Sequence, residues 1–334
     1  EVLNYFRKAI DIYNLFYHVA FNSEATYTRL NHKWIVTTNN HILVCNHILV
    51  CTGVNAVPSI PRLFKDSYSL SNKTKVIHSS DFNEFFVKSN VTYKKIIIVG
   101  NGASSCDILK YFDADPSTNL IKTEVKVLYR SDKYYIPTTI NGISGCIILS
   151  DTLLKFFEKI PLKLFIFFII LGNIFVFNSY LPTPTSKINS YNIVGSKIIQ
   201  KLIADGAISY HRETIESVDL EKQYVKTDAA IYTDIDLIIL ATGYEEPIKT
   251  PLFKYVVPVE TDPTFKIIKN IGFIGFNRAY NFITNAEMRT KWYITNHHLL
   301  EEYDVNKWIA HMKVRKNKNN LTFLDATYEL FELA

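Results

Sequence analysis

The chain is poor in cysteine and in charge of one sign, and each shortage narrows its class. Four cysteines in 334 residues (Cys45, Cys51, Cys106 and Cys146), with no C-x-x-C pair, exclude a disulfide framework and point to a reducing compartment. A net charge of +5 is too slight for the basic stripe of a nucleic-acid binder. It suits an anionic small molecule or a membrane surface. Hydrophobic residues make up 48% and charged residues 21%, which is ordinary for a globular protein, and the length allows two domains with a real core. The first residue is Glu1, already inside an amphipathic pattern, with neither Met nor a signal peptide. The chain therefore reads as one cut at its front.

What is present centres on Lys95-Ile96-Ile97-Ile98-Val99-Gly100-Asn101-Gly102-Ala103-Ser104-Ser105. Apolar β-formers predict a buried strand. Gly100 and Gly102 let the backbone turn tightly and approach a ligand, and the residues after them open a helix whose first N–H groups point at a pyrophosphate. This is a dinucleotide fingerprint, and Gly100, Asn101, Gly102, Ala103, Ser104 and Ser105 are its candidate contacts. A second strand, Glu124–Tyr129, ends in Arg130-Ser131. An acidic residue at that place favours NAD, whereas an arginine fork matches the 2′-phosphate of NADP. NADPH is the expected nucleotide.

Around this unit the pattern is symmetric. Two apolar strands run into Thr-Gly, one at Thr52-Gly53 and the other at Thr242-Gly243-Tyr244, and they bracket the fingerprint. A domain inserted between two crossings of a parent domain produces such symmetry. Residues 1–17 carry apolar side chains at helical spacing, and 26–30 with 33–38 predict a hairpin. The repeat His41–Cys45 and His47–Cys51 has an even period of six, so a single strand passing through both copies keeps one face inward. Residues 164–181 contain no charge and lie between Pro161 and Pro182. They are short for a bilayer span, and read either as membrane contact or as a buried or dimer-forming helix.

These residues together resemble the flavin-containing monooxygenases, class B flavoprotein monooxygenases in the broad sense. Gly100 to Ser105 looks like their NADPH fingerprint, and Ala241-Thr242-Gly243-Tyr244 is similar to their A-T-G-Y crossing. His78-Ser79-Ser80-Asp81-Phe82 resembles the second half of a family signature whose front half is absent, with Asn72 and Thr74 where Phe and Gly would stand. Ile271–Phe276 looks like the closing strand. The insert from Ile136 to Val194 resembles the branch that contains indole-pyruvate monooxygenases and their fungal relatives.

The resemblance implies an α/β fold of two Rossmann-like dinucleotide-binding domains. An NADPH domain (86–240, with the hydrophobic insert 161–182) would sit inside an FAD domain formed by 1–85 and 241–334. That FAD domain lacks its own N-terminal G-x-G-x-x-G, so the chain would be either a fragment or a remnant that no longer holds FAD tightly. It further implies an enzyme using FAD, NADPH and O2 on a small-molecule substrate through a C4a-hydroperoxyflavin, placed in the cytoplasm or on the cytoplasmic face of an intracellular membrane. Thr52, Gly53, His78, Thr242, Gly243 and Tyr244 would line the crossings beside the cofactors. No catalytic side chain and no metal ligand is implied. Two alternatives stand beside this: a degenerate NADP-binding, membrane-associated remnant, and a flavin reductase of the disulfide type. The reductase calls for a C-x-x-C or C-x4-C pair, and Cys45 and Cys51 have five residues between them.

Overall fold

The apolar run at the fingerprint becomes the central strand of a parallel sheet. The structure is a computed structural model that describes residues 2–31, 33–65, 73–87, 93–114, 123–136, 139–140, 143–144, 181, 193–245 and 271–274. It also describes three pairs at 286–287, 290–291 and 294–295. In chain order the strands are β1 (Thr26–Leu30), β2 (Lys33–Thr37), β3 (Ile42–Cys45), β4 (Ile48–Val50), β5 (Lys75–His78), β6 (Lys95–Val99), β7 (Glu124–Tyr129), β8 (Tyr134–Ile136), β9 (Thr139–Ile140), β10 (Ile143–Ser144), β11 (Ile193–Gly195), β12 (Ile208–Arg212), β13 (Ile215–Asp219), β14 (Tyr224–Thr227), β15 (Ile231–Tyr232), β16 (Leu237–Leu240) and β17 (Ile271–Phe273). The helices used below are α1 (Val2–Ile12), α2 (Arg62–Lys65), α3 (Ala103–Ala114) and α4 (Ile198–Ala204).

Five strands form one sheet in the order β12-β7-β6-β16-β5, and every neighbouring pair is parallel. Its inner strands β6 and β16 are near-continuous apolar runs because both faces are covered. On one face Ile96, Ile98, Val125, Val127 and Ile239 pack under Leu109 and Phe112 of α3 and Ile199 and Leu202 of α4. On the other, Ile97, Leu128, Ile238 and Leu240 meet Leu220 and Val225 near the small antiparallel sheet β13-β14-β15, together with Phe64 of α2. Burying each such side chain contributes about 1.5–3 kcal/mol against leaving it in water. Strand β5 precedes the fingerprint in sequence yet forms the sheet edge beside β16. The sheet thus reaches back before residue 86.

The predicted hairpin is present, with β1 antiparallel to β2 and Leu30 opposite Lys33. Two sequence expectations are corrected. The repeat is not one strand: β3 pairs antiparallel with β2, whereas β4 pairs parallel with β17 in a different sheet. Register is set by the partner strand, and the two copies have different partners. The helix expected over 1–17 stops at Ile12, because Asn14 takes a left-handed backbone (φ 56°) and a 3-10 turn follows over Leu15–His18. Apart from Leu181, the apolar stretch 164–181 lies outside the described residues. Among the described residues no helix is long and apolar enough to cross a membrane.

Candidate nucleotide site

The C-terminal ends of the parallel strands collect most of the residues singled out in the sequence. In open α/β sheets this edge is where ligands bind. Strand β6 hands over to Gly100, whose φ is +109°, a backbone that side-chain-bearing residues rarely adopt. A Cβ there would lie 2.5 Å from the carbonyl oxygen of Ala241. The turn is therefore pressed against the Ala241-Thr242-Gly243-Tyr244 crossing, and Gly100 is demanded by the protein itself. Backbone bonds hold it in place, from the Gly100 N–H to Leu128 O (2.8 Å) and from the Ala241 N–H to Val99 O (2.9 Å).

Gly102 differs. A Cβ on it would meet nothing within 4 Å, so the space over it is open. Helix α3 begins directly afterwards, with its first turn closed by the Cys106 N–H on Gly102 O at 3.1 Å. The preceding amides have no intrahelical acceptor and face the end of the helix, the usual anion seat. The first turn contains no acidic residue to compete. Ala103 is exposed and Ser104 half-buried, while Ser105 is fully buried and its hydroxyl has no partner among the described residues.

Asn101 turns inward. It is buried, and its Nδ2 donates to Ser131 O (3.0 Å) and to Tyr210 Oη (2.9 Å). Arg130 stands exposed just after β7, and among the described residues its guanidinium has no partner. Sequence reasoning missed Arg212, which ends the neighbouring strand β12. Its Nη1 donates to Asp132 at 3.2 Å, and that carboxylate is buried beneath it. An arginine closing a third parallel strand is the signal that could have drawn attention to it. Tyr135 and Tyr210 were missed as well, since neither belongs to a motif.

His78 ends β5 and is fully buried. The Ser80 N–H donates to its Nδ1 at 3.1 Å, so Nε2 carries the proton and donates to Gly243 O at 2.9 Å. The ring also meets Tyr244 edge-on, with centroids 5.2 Å apart. Burial pushes its pKa below the ordinary imidazole value, against the pull of the Gly243 carbonyl and Asp81. Gly243 itself has φ +78°. The crossing is paired further with the segment after Thr52-Gly53. The Ser59 N–H donates to Gly243 O (2.9 Å), the Glu245 N–H to Val57 O (2.8 Å), and the Thr242 hydroxyl to Ser59 O (2.5 Å). Thr52 and Gly53 (φ +71°) follow β4, which pairs with β17 in a different sheet from the fingerprint strand, and among the described residues the segment after them meets the crossing through residues 57–59.

One family model, described as flavin-binding monooxygenase-like, matches residues 1–319. The chain belongs to that family. As a flavin-binding monooxygenase-like protein it shares its fold with OTEMO crystallised with FAD and NADP, at 14% identity over 90% of this chain and 70% of that one, with a TM-score of 0.59. It is also similar to Tmm from a Pelagibacter species, at 14% identity over 96% of this chain and a TM-score of 0.50. At such identities the likeness concerns the fold. The chain spans 60% of the length of Tmm and 56% of OTEMO in a second crystal form. No curated protein matches it.

Proposed function

We propose that this chain supplies the NADPH-binding domain and part of the FAD-binding domain of an NADPH- and FAD-dependent monooxygenase. That enzyme would transfer one oxygen atom of O2 to a small organic molecule. Residues 86–240, with the edge strand Lys75–His78, would form the NADPH domain, and the segments on either side would belong to the FAD domain. The observation that carries the reading is a convergence at one sheet edge. A glycine turn with open space over Gly102, the start of a twelve-residue helix and the exposed Arg130 all lie there.

These features fit a dinucleotide. The amides at the start of α3 would take the pyrophosphate, and Arg130 would take the 2′-phosphate. Gly102, Ala103 and Ser104 lie where the backbone would pass closest to it. Thr242, Gly243 and Tyr244 continue from β16, beside the turn, and Thr52-Gly53 would serve the flavin side. FAD, when bound, would supply the oxygen chemistry, and the protein's part would be positioning and exclusion of water. The family membership and the shared fold support this reading.

Two experiments test it. Purified full-length protein should be yellow, with a flavin spectrum, and should consume O2 when given NADPH; colourless protein with no oxygen uptake speaks for the non-enzyme alternative. In the second, Arg130→Ala should weaken NADPH binding about a hundredfold and NADH binding little, because charge-assisted bonds to a phosphate are lost from one ligand only. An unchanged NADPH-over-NADH ratio in that variant removes Arg130 from the site.

A further inference from the structure

The inward turn of Asn101 closes a ring of hydrogen bonds. Tyr135 Oη donates to the backbone carbonyl of Asn101 at 2.8 Å, which uses its single proton. In the contact between Tyr135 Oη and Tyr210 Oη at 3.2 Å, Tyr210 must then be the donor. Asn101 Nδ2 in turn donates to Tyr210 Oη at 2.9 Å, so the circuit runs from the side chain of Asn101 through two phenols and back to its own carbonyl. The second Nδ2 proton goes to Ser131 O at 3.0 Å. That carbonyl also fixes the orientation of the amide, because Oδ1 in its place would set two acceptors against each other.

The ring is anchored at both ends. Tyr210 stacks on Tyr129, the last residue of β7, with centroids 4.2 Å apart. Burial raises both phenols above the ordinary tyrosine value, Tyr210 to about 12. Chains of buried hydrogen bonds polarise one another and act as a unit. The fingerprint turn and the Arg130-Ser131 loop come from different strands, and the Asn101 amide bridges them directly.

We propose that Asn101 is a positioning residue that ties the pyrophosphate turn to the Arg130-Ser131 loop, and so sets the preference for a 2′-phosphorylated nucleotide. This rests on reading the site as an NADPH site. A side chain that only stabilised the turn would affect every nucleotide alike. One that holds the two phosphate seats at a fixed spacing affects ligands that occupy both.

Binding of adenosine 2′,5′-bisphosphate and of AMP to the full protein, followed by calorimetry, separates these cases without needing flavin or turnover. Asn101→Ala should weaken the bisphosphate about tenfold and AMP less than about threefold, which collapses the ratio between them. Tyr210→Phe keeps the stack on Tyr129 but deletes the hydroxyl, and should lower the ratio in the same direction by about threefold. If Asn101→Ala does not fold, Tyr210→Phe decides. Equal weakening of both ligands, or an unchanged ratio in folded variants, overturns the positioning role. Wild-type protein that binds AMP as tightly as the bisphosphate overturns the NADPH reading, and this inference with it. A wild-type preference that survives both substitutions sinks the inference alone.

Discussion

Gly100→Ala is expected to cost about 4 kcal/mol and to leave little folded protein, whereas Gly102→Ala should fold normally and lose the nucleotide. The two glycines sit two residues apart in one motif, but different partners need them. At Gly100 an added Cβ falls 2.5 Å from the carbonyl oxygen of Ala241, and the φ of +109° is strained for any side chain. That oxygen is backbone on the strand end beside the turn, held by the Ala241 N–H bond to Val99. Moving it would disturb the β6–β16 pairing at the centre of the sheet. At Gly102 the added methyl meets only open space, and no unusual φ opposes it. Its cost appears when a pyrophosphate has to approach the backbone. Thermal denaturation and NADP+ titration of both variants read the two effects separately. A stable Gly100→Ala protein, or a Gly102→Ala protein with wild-type NADP+ affinity, contradicts the assignment of roles.

The same contrast shows which parts of the molecule could be read in advance. Strand β6, the turn and α3 were legible because their signals are local: an apolar run, glycine spacing and the opening of a helix. The 26–37 hairpin was legible for the same reason, and so was the apolar strand running into Ala241-Thr242-Gly243. What could not be read depends on residues distant in sequence. The repeat at 41–51 splits because β4 finds its partner in Ile271–Phe273, and nothing in the repeat announces that strand. Asn101 has the composition of a turn residue, and only the placement of Tyr135 and Tyr210 shows that its side chain is buried and bridging. Arg130 was visible from its position after a strand. The Arg212–Asp132 pair was not, since it requires knowing that β12 lies against β7. Helix α1 failed at its end for a local reason, the left-handed Asn14. Amphipathic spacing continues through that residue and gives no sign of it.

Removing His78 is the second change with a large expected effect, about 3 kcal/mol for His78→Ala. The imidazole bridges residues 165 apart in sequence, joining the end of β5 to the Gly243 carbonyl. Alanine would leave that carbonyl with one partner fewer and the Ser80 N–H without its side-chain acceptor. The bond from the Ser80 N–H to Nδ1 works only in the neutral ring. A proton on Nδ1 would face the Ser80 N–H, and burial already holds the folded pKa below the ordinary value of 6.5. The unfolded chain therefore takes up a proton at a higher pH than the folded one. His78's contribution is complete above pH 6.5 and declines as the pH falls from there toward the depressed folded value. Urea midpoints measured from neutral pH down to about pH 5 should show this slope in the wild type. His78→Gln can still donate to Gly243 but does not titrate, so its slope over the same window should be shallower. An identical slope in both proteins would place the pH dependence on another group.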